Sequence, residues 1–268
     1  MKPMARLLIP LLMLAVFAPA WSDQYTNSYG YTFNNPISAT CNSMFWESMN
    51  SRLIYRMMLK KHGTTDAQLN QMTTDQMLAA LGGKAAAQTE TQKPVSNPAT
   101  KFSPTSRYLL LPALTESLTK DPVQQKALLG VFEQGVQYYE KEAGPKGMGH
   151  DVAGAMVFLI ASSYYVFNDG QDPNSDGTEI IARSIQHNMD TPAFRQIADS
   201  DKQKFYELMI GLGTYLGVTY QLAVNTKDAA QVKALKGVAA DALKGFLKLD
   251  PKTVRITANG LEISGGPR

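Results

Sequence analysis

DVAGAMVFLIASSYYVF, the stretch from Asp151 to Phe167, decides the fold. Asp151 carries the short carboxylate that accepts first-turn N–H groups at a helix N-cap. From Val152 onward every helical face is apolar or small, and no residue is charged. A helix of this kind must be covered on all sides, by protein or by lipid. Lipid asks for roughly 20 apolar residues. This run is shorter and holds Ser162, Ser163, Tyr164 and Tyr165. It therefore predicts the central helix of an all-α bundle.

The flanking sequence supplies the rest of the bundle. Upstream, Leu109 to Leu118 predicts a short helix with Pro112 in its first turn. Asp121-Pro122 is a helix start, and Leu128, Leu129, Phe132, Val136 and Tyr139 follow on one face until Gly144-Pro145. Downstream, Thr178 to Asn188 is a short amphipathic helix with Ile181 and Ile185 inward. Ser200 is placed to cap a long helix reaching Asn225, with Gly211, Gly213 and Gly217 inside it. Each glycine costs roughly 0.5–1 kcal/mol against Ala in a helix. Three together predict close approach of another backbone, that of the 152–167 helix at Ala153, Gly154 and Ala161. A last helix starts at Thr226 and stops before Pro251. Val254 to Ile263 alternates around Asn259-Gly260, which predicts a short C-terminal β-hairpin.

The N-terminal part is organised differently. Lys2 and Arg6 precede the apolar run Leu7 to Phe17, and Ala18-Pro19-Ala20 offers small residues for signal peptidase. Residues 1–20 are a predicted signal peptide, cleaved after Ala20 or Ser22. The full chain carries a net charge of +3. Lys2 and Arg6 leave with the signal and no acid does, so the mature chain is nearly neutral. That removes the general electrostatic case for nucleic acid. The single cysteine, Cys41, lies too far from the apolar run to be a lipidated first residue, and it cannot form an internal disulfide. Residues 23–83 read as an arm rich in Tyr, Asn, Ser and Thr, then helices at Asn42–Lys61 and Thr74–Leu81. Residues 84–103, with Pro94, Pro98 and few large apolar side chains, read as a flexible linker. The helical main domain is assigned to 104–268.

Lys101-Phe102-Ser103-Pro104, Asp121-Pro122, Phe132 with Tyr138-Tyr139, and Asp151 to Ala155 leading into Ser163-Tyr164-Tyr165-Val166 form a recurring set. On these residues the chain resembles a family of uncharacterised bacterial exported proteins, a domain of unknown function. A weaker likeness continues to Thr257-Ala258-Asn259-Gly260-Leu261. The resemblance implies an exported, bacterial, helical protein. It implies no activity and carries over no functional residue.

Three constellations hold chemistry. Asp172, Asn174 and Asp176 alternate and precede Gly177, like the first half of a calcium loop. The twelfth position from Asp172 is Arg183 instead of Glu, and the same residues serve equally as a polar turn in which Ser175 or Asp176 caps the next helix. Calcium is thus the one cofactor the sequence raises. His150, at the mouth of the central helix, is in sequence reach of Glu133 and Glu140, a set from which a hydrolase could be assembled. The pairs Tyr138-Tyr139 and Tyr164-Tyr165 could line a groove, though core packing explains them as well. The leading expectation is a non-catalytic binding or assembly module, periplasmic or secreted, with an unidentified envelope protein or ligand as partner. The alternative is a hydrolase with its site near His150.

Overall fold

Asp151 begins the central helix as its sequence requires: one carboxylate oxygen accepts the Gly154 N–H at 3.0 Å. The computed structural model describes Leu59, residues 64–72, Gln76, residues 96–247 and residues 249–263. Its elements are α1 (Asp66–Gln71), α2 (Leu111–Leu118), α3 (Pro122–Ala143), α4 (Val152–Phe167), α5 (Ser175–Met189), α6 (Pro192–Arg195), α7 (Asp199–Asn225) and α8 (Ala229–Leu247), then β1 (Val254–Thr257) and β2 (Gly260–Ile263). The described residues are mostly α-helical and close with an antiparallel hairpin.

α4 is the hub. It packs against α7, α8 and α5, and thirteen of its sixteen residues are buried, including Ser162 and Ser163. α3 lies on α7, and α2 on both. The main core joins Phe132, Ile160, Met209 and Ile210 to Leu59 and Leu69, so the segment before 72 shares it. A second cluster of Tyr165, Val166, Leu216, Tyr220, Ala223, Leu235 and Ala239 forms where α4, α7 and α8 meet. Among the described residues no helix is long and apolar enough to cross a membrane.

Local signals set the helix starts. Asp121 accepts from the Val123 and Gln124 N–H groups at 2.8 and 3.3 Å. Thr65 and Gln68 make a reciprocal capping box at α1, a Thr-x-x-Gln signature present in the sequence but absent from the predicted helices.

Several expectations are corrected. α5 starts earlier, at Ser175, because Asn174 caps it through the Asp176 and Gly177 N–H groups. Ser200 lies inside α7, whose N-cap is Ala198, without a side-chain bond. Thr226 ends α7 instead of starting α8, and its hydroxyl returns to the Leu222 carbonyl. Asp228 serves the first turn of α8 by accepting the Gln231 N–H. In the hairpin Thr257 pairs with Gly260, so the turn is Ala258-Asn259, with Gly260 as the first strand residue at φ 96°.

Part of the 84–103 stretch expected as a linker is packed against the bundle. Ala99, Thr100 and Phe102 are buried, and the 100–102 backbone pairs with 150–152 through Val152 N–H to Thr100 and Phe102 N–H to His150. Residues 84–95 of the linker lie outside the described residues. So do the signal peptide, the arm with Cys41, all but Leu59 of the 42–61 helix, and all but Gln76 of the 74–81 helix.

The glycines of α7 face two neighbours. A Cβ on Gly213 would lie 2.8 Å from the Phe158 ring of α4. The helix approached is the expected one, but the glycine makes room for a large side chain and not for a backbone at Ala153, Gly154 or Ala161. A Cβ on Gly211 would instead meet Leu114 of α2 at 2.7 Å. Gly154 does not face α7: a Cβ there would meet the Tyr139 hydroxyl and the Met148 carbonyl.

Candidate functional site

The turn between α3 and α4 gathers polar and aromatic side chains from several elements. The 3-10 turn Gly144–Lys146 and Gly147 (φ 75°) reverse the chain. His150 follows in a left-handed conformation, φ 46°, unusual for a residue with a Cβ. Glu140, from the last turns of α3, accepts the His150 backbone N–H at 2.8 Å and the Tyr206 hydroxyl at 2.5 Å, both through Oε1. The His150 imidazole Nδ1 stands 3.8 Å from Glu140 Oε2 and is 45% exposed. It packs edge-on to Phe102 and is tilted against Tyr206. Lys101 donates its ammonium to the Gly149 carbonyl at 2.6 Å. The structure therefore brings His150 to Glu140 and not to Glu133.

Tyr206 is buried, and burial together with the adjacent Glu140 charge pushes its phenol far above the ordinary range. It stays a hydrogen-bond donor across the physiological pH range. Tyr139 likewise donates to the Met148 carbonyl at 2.9 Å, its phenol raised by burial. Tyr206 was not singled out in the sequence. Its partner is 66 residues away, so no local pattern marks it.

Next to this turn, Asp151 is fully buried. Beyond its capping bond, its second oxygen accepts from the Thr100 hydroxyl at 2.9 Å and the Gln186 amide at 2.8 Å. Burial raises its carboxyl above the usual value, against these bonds and the Lys101 charge. Asp151 thus ties the 98–102 segment, α4 and α5 together.

The 172–177 loop is used for capping. Asn174 Oδ1 is occupied by two helix N–H groups, and Asp172 and Asp176 are exposed. Glu179 is held by Arg183 and Lys146, and the Arg183 bond draws its carboxyl below the usual range. Among the described residues no group of three His, Cys, Asp or Glu side chains is placed to hold a metal ion. Of the tyrosine pairs, Tyr139, Tyr164 and Tyr165 are buried and Tyr138 is half-buried.

A cleft of about 580 Å³ lies elsewhere, over the end of α7 and the first turns of α8. Ala223, Val224, Ala229 and Val232 form its apolar part, and Lys227, Lys233, Lys236 and Asp169 its charged part. Lys236 reaches the Asp169 carboxylate at 2.7 Å. The spacing of Lys233 and Lys236 outside the apolar seam of α8 is visible in the sequence. Their meeting with Lys227 and Asp169 depends on the packing of three elements.

No curated protein and no solved structure matches the chain. A family model described as a family of unknown function, DUF6683, matches residues 1–264. The chain belongs to that family.

Proposed function

We propose that this is an exported bacterial protein whose mature chain starts at Trp21 or Asp23 and acts in the envelope, periplasmic or secreted, as a non-catalytic binding or assembly module. Export rests on the three-part signal in residues 1–20. The observation that carries the binding role is the position of the cleft. It is lined by aliphatic side chains, three lysines and Asp169, and none of His150, Glu140, Tyr206 or Asp151 lines it. The polar cluster at His150 is taken up with holding the α3–α4 turn: Glu140 serves a backbone N–H and a buried phenol. Such a carboxylate supports architecture more than proton transfer.

The hydrolase reading keeps one specific support, the exposed imidazole 3.8 Å from Glu140. Both readings meet the same test. Intact mass from the envelope fraction is expected to begin at Trp21 or Asp23. The purified mature chain is expected to turn over no ester, peptide or glycoside substrate. A turnover that disappears in His150→Ala, with the melting curve kept, would replace the binding role with catalysis.

A further inference from the structure

We infer that the cleft between the end of α7 and the start of α8 receives an acidic segment of a partner protein, with carboxylates flanking an aliphatic side chain. The inference deepens the binding role and rests on it. Three lysines border the cleft and a single carboxylate, Asp169, answers them. Asp169 sits on Lys236. Lys227 and Lys233 are exposed and make no ion pair with a described residue. The nearby Asp228 uses its carboxylate on the Gln231 N–H. The Asp169–Lys236 contact shows how a carboxylate is received there, and two cations remain for a partner.

Lys227 carries a second sign. α7 ends with the Asp228 N–H on the Ala223 carbonyl at 2.9 Å and the Lys227 N–H on the Val224 carbonyl at 3.1 Å. This is a Schellman ending, whose left-handed residue is usually Gly. Here Lys227 holds φ 57°. A strained conformation kept by a side chain with a Cβ points to a use for that side chain. A cation near a helix C-terminus also favours the helix dipole. The two roles part on substitution, because only the first links Lys227 to a ligand.

The floor selects the kind of partner. Ala223, Val224, Ala229 and Val232 give an apolar floor on which an aliphatic side chain can rest. A small molecule needs most of its surface enclosed, and this cleft is open. Membrane docking uses several large apolar side chains, whereas Val224 is the exposed large one at the cleft. No aromatic ring lines it for stacking with nucleic-acid bases. Charge complementarity with an acidic, leucine-bearing peptide is what remains.

The test uses the mature chain and a fluorescein-labelled peptide in which glutamates flank leucines, followed by anisotropy. The glutamine counterpart of that peptide and phosphatidylglycerol vesicles are the other arms. The acidic peptide is expected to bind, more weakly with added salt. Lys227→Gly and Lys233→Gln are each expected to weaken it by about two- to fivefold, the range of an exposed ion pair. Lys227→Gly is expected to melt at or above the wild-type temperature, which separates lost binding from lost folding. Equal binding of the glutamine peptide, indifference to both lysines, or binding of vesicles but not peptide would overturn the inference. Absence of peptide binding without substrate turnover removes this cleft assignment alone. Turnover dependent on His150 removes the broader role as well.

Discussion

Glu207 Oε2 accepts the Leu110 backbone N–H at 2.6 Å, and the same carboxylate accepts the N–H groups of Leu109 and Leu111. A side chain buried in the middle of α7 therefore caps α2 from another helix, and α2 has no side-chain cap of its own. Gln203, one turn earlier, binds Glu207, the Thr105 N–H and the Arg107 carbonyl. Glu207→Ala leaves several buried N–H groups without an acceptor and is expected to cost about 3 kcal/mol or more. Glu207→Gln keeps one acceptor oxygen and should cost about 1–2 kcal/mol. Urea unfolding measures both, and an alanine variant within about 0.5 kcal/mol of wild type would contradict the trans-cap.

The buried Asp151 makes stability depend on pH. Its folded carboxyl is raised above the ordinary 3.8 by burial. Between the unfolded and folded values the native state holds more protons than the unfolded one, so this group's contribution falls as pH rises through that window. It is full below the unfolded value. Melting temperatures taken stepwise upward from about pH 4 should show this slope, and Asp151→Asn should flatten it. An unchanged slope in the variant would assign the dependence to other carboxyls.

Two glycines in helices should respond with opposite signs. A Cβ on Gly177 would stand 1.9 Å from the Thr257 carbonyl oxygen, where α5 touches β1. Gly177→Ala must push the hairpin away and is expected to destabilise by about 1–3 kcal/mol. Gly237 in α8 has nothing within 4 Å of the added carbon. Gly237→Ala should stabilise by about 0.5–1 kcal/mol through helix propensity. Gly213→Leu, facing Phe158, should follow Gly177. Thermal melts of the three variants decide the packing, and a gain from Gly177→Ala would remove the α5–hairpin contact.

The Tyr206–Glu140 bond can be isolated by a double-mutant cycle of Tyr206→Phe and Glu140→Gln. A buried phenol donating to a carboxylate should give a coupling of about 1–2 kcal/mol. Additive losses would mean that the two side chains act independently.

Millimolar calcium is expected to leave the melting temperature unchanged, because Asn174 Oδ1 is already engaged at the start of α5. A rise in wild type that is lost when Asp172→Ala and Asp176→Ala are combined would establish calcium at this loop.

By itself the sequence determined the bundle, its central helix and the helix starts at Asp121 and Asp151. These rest on bonds between a side chain and N–H groups two or three residues on, and on apolar faces of fixed period. Both are local, so both are legible in residue order. The same locality made Thr65-x-x-Gln68 legible, and it left Ser175 and Asp176 as rival caps at α5, where Asn174 is the residue that bonds the first turn. Tertiary structure alone decided what spans the helices. Glu207 reaches Leu109 across 98 residues, and Tyr206 reaches Glu140 across 66. It placed His150 beside Glu140 rather than Glu133, buried Thr100 on Asp151, and set Lys227 with Lys233 and Lys236 around one cleft. Those meetings depend on crossing angles and on the rotation of each helix about its axis. Both are set by core packing among many side chains, and no short stretch of sequence encodes them.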